Sequence, residues 1–251
     1  MVGNNVVCMC LQFMEVIMSK GVIVTADTIR TRKKLARIAK ISLLILLLFL
    51  IVVYIILQVI YSEGKFTITL DPNEELNSGL MMYETLNDPT PKRQLVADAV
   101  QFMDNISIKW LPDDINGDYE GSHNGNNYIA YTFYIGNHGT ENINYWYSMV
   151  IEDVIKNVDV AVRIMIFVND EKKIYAKANE FNGEPEKDTI KFRDDEDGTI
   201  ILEKREALEP ENTDKITIVV WIEGDDPDCK DALIGGELKM HMNITEEHIR
   251  D

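Results

Sequence analysis

The chain is poor in the residue types that build metal, redox and catalytic centres. Its 251 residues include three cysteines and four histidines. No cysteine pair has the partners a structural zinc site needs. His123, His138, His241 and His248 never fall four residues apart, so the His-Glu-x-x-His helix of a zinc peptidase is excluded. There is no glycine-rich phosphate loop, and nothing in the order of Ser, His and Asp residues marks a nucleophile with its base. Basic residues are outnumbered 25 to 42 by acids. Long apolar runs are missing too, with one exception.

That exception is Ile41 to Tyr61, 21 residues in which only Ser42, Gln58 and two tyrosine hydroxyls can hydrogen-bond. As a helix it spans ~31 Å, the thickness of a bilayer's hydrocarbon core. It divides the charge sharply. Residues 1–62 carry a net +5 and residues 63–251 a net −22. Six bases, Arg30, Arg32, Lys33, Lys34, Arg37 and Lys40, sit just ahead of the run. Clustered positive charge stays on the cytoplasmic side, so the expectation is a single-pass plasma-membrane protein with its amino terminus inside. The bilayer is the first expected partner, and the basic cluster faces its anionic headgroups. The acidic remainder repels phosphate, which excludes nucleic acid as its partner.

The expected organisation is a basic tail over 1–40, a transmembrane helix over 41–61 and a juxtamembrane segment with a first strand over 62–80. An extracellular domain over 81–245 and a tail over 246–251 follow. Asp27 caps a helix-forming stretch, so the span is expected to begin in the cytoplasm. Met18 is expected to be the true start of translation. The apolar run exceeds a signal-peptide core, so it reads as a retained anchor, with cleavage after Gly64 as the alternative. Cys8 and Cys10 are then separated by the membrane from Cys229, which is free or bonded to another chain. Asn105-Ile-Ser107 and Asn243-Ile-Thr245 match the glycosylation pattern, both beside candidate strands.

Beyond the anchor the apolar period changes from helical to alternating. Candidate strands are Phe66–Leu70, Leu80–Tyr83, Ile106–Leu111, Tyr128–Ile135 and Ile143–Ile151. Further ones are Val160–Val168, Ile174–Ala176, Ile190–Phe192, Thr199–Lys204, Ile216–Ile222 and Leu238–Ile244. Gly136 to Gly139 supplies turn residues, so the strands on either side are expected to form a hairpin. Lys92 to Asp104 is the one stretch open to a helical reading. The fold expected is mainly β, an antiparallel β-sandwich of jelly-roll type behind a single transmembrane helix.

The most distinctive stretch runs from Trp221 to Lys239, WIEGDDPDCKDALIGGELK. It is a strand end, an acidic loop with a proline, and a Gly-Gly turn into a last strand. Trp221, Gly224, Asp226, Pro227, Cys229, Asp231, Gly235 and Gly236 form a pattern that resembles small surface proteins of Gram-positive bacteria with TasA/camelysin-like β-sandwich domains. Asn127 to Tyr134, followed by an Asn-x-Gly turn, fits the same resemblance. It implies a cell-surface or biofilm-matrix protein, with motif residues that are structural rather than catalytic; the metallopeptidase label the family has carried finds no His-Glu-x-x-His here. It also implies assembly by strand exchange, with Phe66, Ile68 and Leu70 filling alternate slots in a neighbour. With the anchor retained, pairing of this strand within its own domain is the preferred reading over exchange. Members of that family are exported with a cleavable leader, whereas this anchor reads as permanent.

One cation site can be drawn from spacing alone. Asp114, Asn116, Asp118 and Glu120 place oxygen donors on alternate residues, as a calcium loop does, although Gly117 is not where an EF-hand has its glycine. Asp225, Asp226, Asp228 and Asp231 are a second calcium candidate, and turns use the same residues for their own reasons. No other cofactor is expected. The functional expectation is a non-enzymatic surface protein making protein–protein contacts, through self-association or with another surface protein, as in matrix or fibre assembly. The alternatives are a ligand-binding or accessory sensory ectodomain working with a membrane partner, and an extracellular hydrolase.

Overall fold

A computed structural model describes residues 26–62, 66–71, 79–87, 89–100 and 102–247. Met18, Gly64, Cys8, Cys10 and His248 lie outside them. The chain divides into two units, Met1–Tyr61 and Ser62–Asp251. In the first, one helix, α1 (Ala26–Ser62), carries the apolar run. Its stretch Arg37–Ile56 is long and apolar enough to cross a membrane, and none of it is buried by the protein.

The second unit is mainly β, built from two mixed sheets. The five-stranded sheet has the order β10 (Thr199–Leu208), β6 (Ile143–Ile155), β12 (Glu237–Glu247), β1 (Thr67–Leu70), β3 (Gln94–Val96). The seven-stranded sheet runs β2 (Leu80–Tyr83), β5 (Tyr128–Asn137), β11 (Thr213–Ile222), β7 (Val162–Val168), β8 (Glu171–Ala176), β9 (Ile190–Lys191). The two-residue β4 (Gly121–Ser122) also pairs with β5. Alternate residues of both sheets meet in one core, which includes Ile68, Tyr145 and Met242 from the first sheet and Phe133, Ile164 and Ile218 from the second. Strand alternation puts every second side chain there, which is why the period-two pattern was readable.

Three expectations are corrected. The ladders are not all antiparallel: β1 runs parallel to β12, and β8 parallel to β9. The strands flanking Gly136–Gly139 do not form a hairpin, because β5 and β6 belong to different sheets. Their connection is a corner held by the buried Asn137, whose amide donates to Leu208 O and Glu141 O, both at 2.8 Å. Ile106–Leu111 is no strand. Ile106 makes a single parallel bridge to Glu223, and Ile108–Trp110 is a 3₁₀ turn. Lys92–Asp104, open to a helical reading, contains β3 and, among its described residues, no helix.

That bridge starts a second layer. Ile106, Leu111 and Ile115 pack on Ala130, Met165, Val219 and Trp221, covering the face of the seven-stranded sheet turned away from the main core. The strands beneath are apolar on both faces, as a sheet covered on both sides requires.

Candidate functional site

Two features gather the residues singled out in the sequence. The first is the slot that holds β1. Thr67 to Leu70 pair with His241 to Ile244 of β12 on one side, and Thr67 to Thr69 with Val96 to Gln94 of β3 on the other. Ile68 is wholly buried, Phe66 nearly so, and Leu70 packs at the edge of the core. Phe66, Ile68 and Leu70 therefore do fill alternate apolar positions, and here they fill them in their own domain. The segment assigned to a juxtamembrane stretch is an interior strand of the sheet. Only four residues form the ladder, and Thr67 follows the last residue of α1 by five positions.

The second feature is the loop from Trp221 to Gly236. Two of its acids, Glu223 and Asp226, are buried and used by the fold. Asp226 is buried against the equally buried Arg163, and its other oxygen accepts the Asp228 N–H at 2.7 Å. Glu223, also buried, accepts from the Trp221 indole (3.0 Å), the Ile108 N–H (3.1 Å) and the Asp225 N–H (3.1 Å). Asp225 accepts from the Ser107 hydroxyl at 2.7 Å. Cys229 is a free thiol whose sulfur accepts from the Asn105 amide at 3.1 Å. Pro227 and Asp231 are exposed, and Gly224 passes close to Asn105 without crowding it. Gly235 has φ +73°, and a Cβ on Gly236 would lie 2.8 Å from Val158 Cβ and 2.9 Å from Ile155 O. The Gly-Gly pair is there because only glycine fits both demands. The motif is thus a clasp, tying the covering segment 105–111 to the corner at Ala161, whose carbonyl accepts the Glu223 N–H at 2.8 Å.

The alternate-oxygen loop is organised by an internal cation. The Lys215 ammonium donates to Asn116 O at 2.8 Å and to Gly117 O. Asp114 accepts from the Tyr119 hydroxyl (2.9 Å), Glu120 from the Leu86 N–H (2.8 Å), and the Asn116 amide donates to Asn169 O (2.8 Å). The Asn116 side-chain oxygen is buried without a partner among the described residues. Among the described residues no group of three or more His, Cys, Asp or Glu side chains is placed to hold a metal ion, in either calcium candidate.

The histidines are dispersed. His123 stacks on Tyr119 and shares a hydrogen bond of 3.0 Å with Thr132, which in turn bonds Thr217 at 2.9 Å. Thr132 and Thr217 are wholly buried, so this chain of hydroxyls is closed to a substrate. Burial, and then the charge of Lys215, push the His123 pKa below its ordinary value. His241 lies 2.7 Å from Glu152, a carboxylate that Lys239 chiefly holds below the usual range. His138 is exposed at the β5–β6 corner.

Sequence reasoning missed Arg163, Glu223, Asp214 and Lys215. Asp214 is buried and accepts from the Tyr145 hydroxyl (2.9 Å), Arg205 Nε (3.0 Å) and the Asn169 amide (2.8 Å). Beside it, a cleft of about 240 Å³ is lined by Tyr147, Glu171, Lys173, Lys204 and Arg205. Its cations are already engaged, Lys173 by Glu203, Lys204 by Glu247 and Arg205 by Asp214. For Arg163 the available signal was a charge within the alternating strand Val160–Val168, whereas Asp214 fell ahead of the candidate strand Ile216–Ile222 and gave none.

No protein-family model matches the chain, and no curated protein matches its sequence. Two crystal structures of β-glucosidase from Kluyveromyces marxianus, one of them in complex with glucose, are similar over 72% of this chain. Their TM-scores are 0.24 and 0.22, at 9% and 13% identity. The chain spans 18% and 17% of their length, and likeness at this level carries no argument. The resemblance to TasA/camelysin domains therefore rests on the motif residues alone.

Proposed function

We propose that the chain is a non-enzymatic, membrane-anchored surface protein whose two sheets form an acidic sandwich used for contact with other protein chains. In this reading α1 crosses the plasma membrane with its basic end in the cytoplasm, since six bases precede the apolar run and none interrupts it. The acidic domain then lies outside the cell, attached to a retained anchor.

The observation that carries the contact role is the β1 slot. A strand of four residues is held between two neighbours by backbone bonds and three apolar side chains. The same bonds and slots are available to β1 of a second copy, so exchange between neighbours costs little once both have opened. The other wide edge of that sheet, β10, is guarded against simple edge pairing. It carries Glu203-Lys204-Arg205-Glu206 and two breaks of register. Assembly by exchange, rather than by edge addition, is the route this arrangement favours.

Thr69 and Asn243 are partners across the β1–β12 ladder, which gives a direct test. In a background with Cys8, Cys10 and Cys229 replaced by serine, full-length Thr69→Cys and Asn243→Cys chains are mixed in one lipid nanodisc preparation and oxidised. Exchange predicts a disulfide-linked heterodimer. Absence of that product, with the double Thr69→Cys/Asn243→Cys chain closing its own bond, overturns the proposal.

A further inference from the structure

Two adjoining rows at the middle of the five-stranded sheet's outer face are uncharged, between flanks that carry Lys204 and Glu247 on one side and Glu152 and Lys239 on the other. One row across all five strands is Gln94, Thr69, Asn243, Ser148 and Leu202, each paired with the next in the ladders. The adjoining row is Val96, Thr67, His241 and Val150. These nine positions hold no Asp, Glu, Lys or Arg. The chain is 27% charged, so a proportional share would put about two charges among them, and a solvated face would take more. His241 is the sole titratable group, and it faces Glu152 at 2.7 Å, with Lys239 also on that carboxylate.

The side chains of Gln94, Thr69, Asn243 and Ser148 are not used by the fold. Their chain neighbours Leu95, Ile68, Met242 and Met149 point into the core, which turns the four outward. None of the four side chains makes a hydrogen bond among the described residues, whereas the polar groups of the motif loop and the Asn116 loop are largely engaged. The result is a level strip of one carboxamide, one hydroxyl, a second carboxamide and a second hydroxyl, repeating at the ~4.8 Å spacing of strands. At one flank Trp146 lies beside Thr245, with the Lys204 ammonium 5.8 Å from its ring centre.

We propose that this face binds a neutral, extended glycan. The strip offers donors and acceptors in one line at a spacing close to the length of a pyranose residue, which suits a polyhydroxylated chain lying across the strands. A protein partner would call for apolar or Arg anchors at the centre of the patch, and the centre here is Thr69, Asn243 and Ser148. An anionic polymer is repelled by a domain of net charge −22, while an uncharged one is not. The site is separate from the β1 exchange reading and does not rest on it, because the strip is the same whichever copy supplies β1.

The test uses the full chain in nanodiscs with cellohexaose, laminarihexaose and chitohexaose as neutral probes and an alginate oligomer as the anionic control. Binding is read by calorimetry and by hydrogen exchange. The expected result is saturable binding of at least one neutral probe, with protection confined to 67–70, 94–96, 144–150 and 241–245. Ser148→Glu or Asn243→Glu then weakens it at least tenfold with an unchanged melting temperature. Should a glutamate variant misfold, Gln94→Ala and Ser148→Ala remove one strip group each and are expected to weaken binding several-fold. Failure of all three neutral probes, equal binding of alginate, or full affinity in the folded variants overturns the proposal. None of these outcomes alters the disulfide result that judges strand exchange.

Discussion

Arg163 and Asp226 form an ion pair with both side chains almost wholly excluded from solvent, joining the start of β7 to the loop after β11. Removing one partner strands the other charge in a place water cannot reach. Asp226→Ala is expected to destabilise the domain by ~3–5 kcal/mol, whereas Arg163→Met with Asp226→Leu recovers most of the loss. Urea unfolding followed by tryptophan fluorescence checks both. Equal destabilisation by the single and double variants would show that packing, not the charge pair, matters here.

Ile68 is the apolar centre of β1. Ile68→Ala is expected to cost about 2–5 kcal/mol, the usual range for a buried isoleucine truncated to alanine. Thr69→Ala, facing outward on the same strand, is expected to stay within about 0.5 kcal/mol. Hydrogen exchange of 67–70 and 241–244 should rise together in the Ile68 variant, since the two segments share one ladder.

Protonation of His123 opposes the fold. Its pKa lies below 6.5 in the folded state because burial and Lys215 disfavour the charge. Between the unfolded value and the lower folded one, the unfolded chain binds more protons, so stability falls as pH drops below about 6.5. Melting temperatures measured from pH 7.5 to 5 should show that decline, and His123→Gln should flatten it. A slope unchanged by the substitution would place its source elsewhere.

The Lys215 ammonium ties down the Asp114–Glu120 loop by donating to the backbone carbonyls of Asn116 and Gly117. Lys215→Met removes the donor to Asn116 O, while Gly117 O keeps the Tyr119 N–H, and is expected to cost ~1 kcal/mol. Calcium and EDTA are expected to leave the wild-type melting temperature unchanged. A rise on adding calcium to the wild-type protein would restore the metal reading of that loop.

The sequence revealed most of the strands because burial repeats every second residue, and this is a local property. Val162 to Val168 and Ile216 to Ile222 were legible for that reason. Which strands pair was not, since β5 and β6 look like a hairpin until Asn137 is seen turning the corner between sheets. The motif around Asp226 was visible as a pattern, but its meaning was not. Its acids read as a solvated or calcium-binding loop, because Arg163 lies 63 residues away in sequence. Lys215 was invisible in the same way, 99 residues from the carbonyl of Asn116. Charges that neutralise each other across such distances leave no trace in spacing.

The pairing of β1 with β12 also sets the order in which the domain is completed during synthesis. About 170 residues separate Leu70 from its partner Ile244. At ribosomal speeds of ~5–20 residues per second, the first strand waits roughly 10–35 s before that partner has been made. Until then Ile68 has only β3 beside it, and the sheet stays open along the line where the last strand must enter. Closure is therefore a late event that joins the two ends of the domain. A truncation just ahead of β12 would release a chain with nearly all its strands made and its central ladder still unpaired.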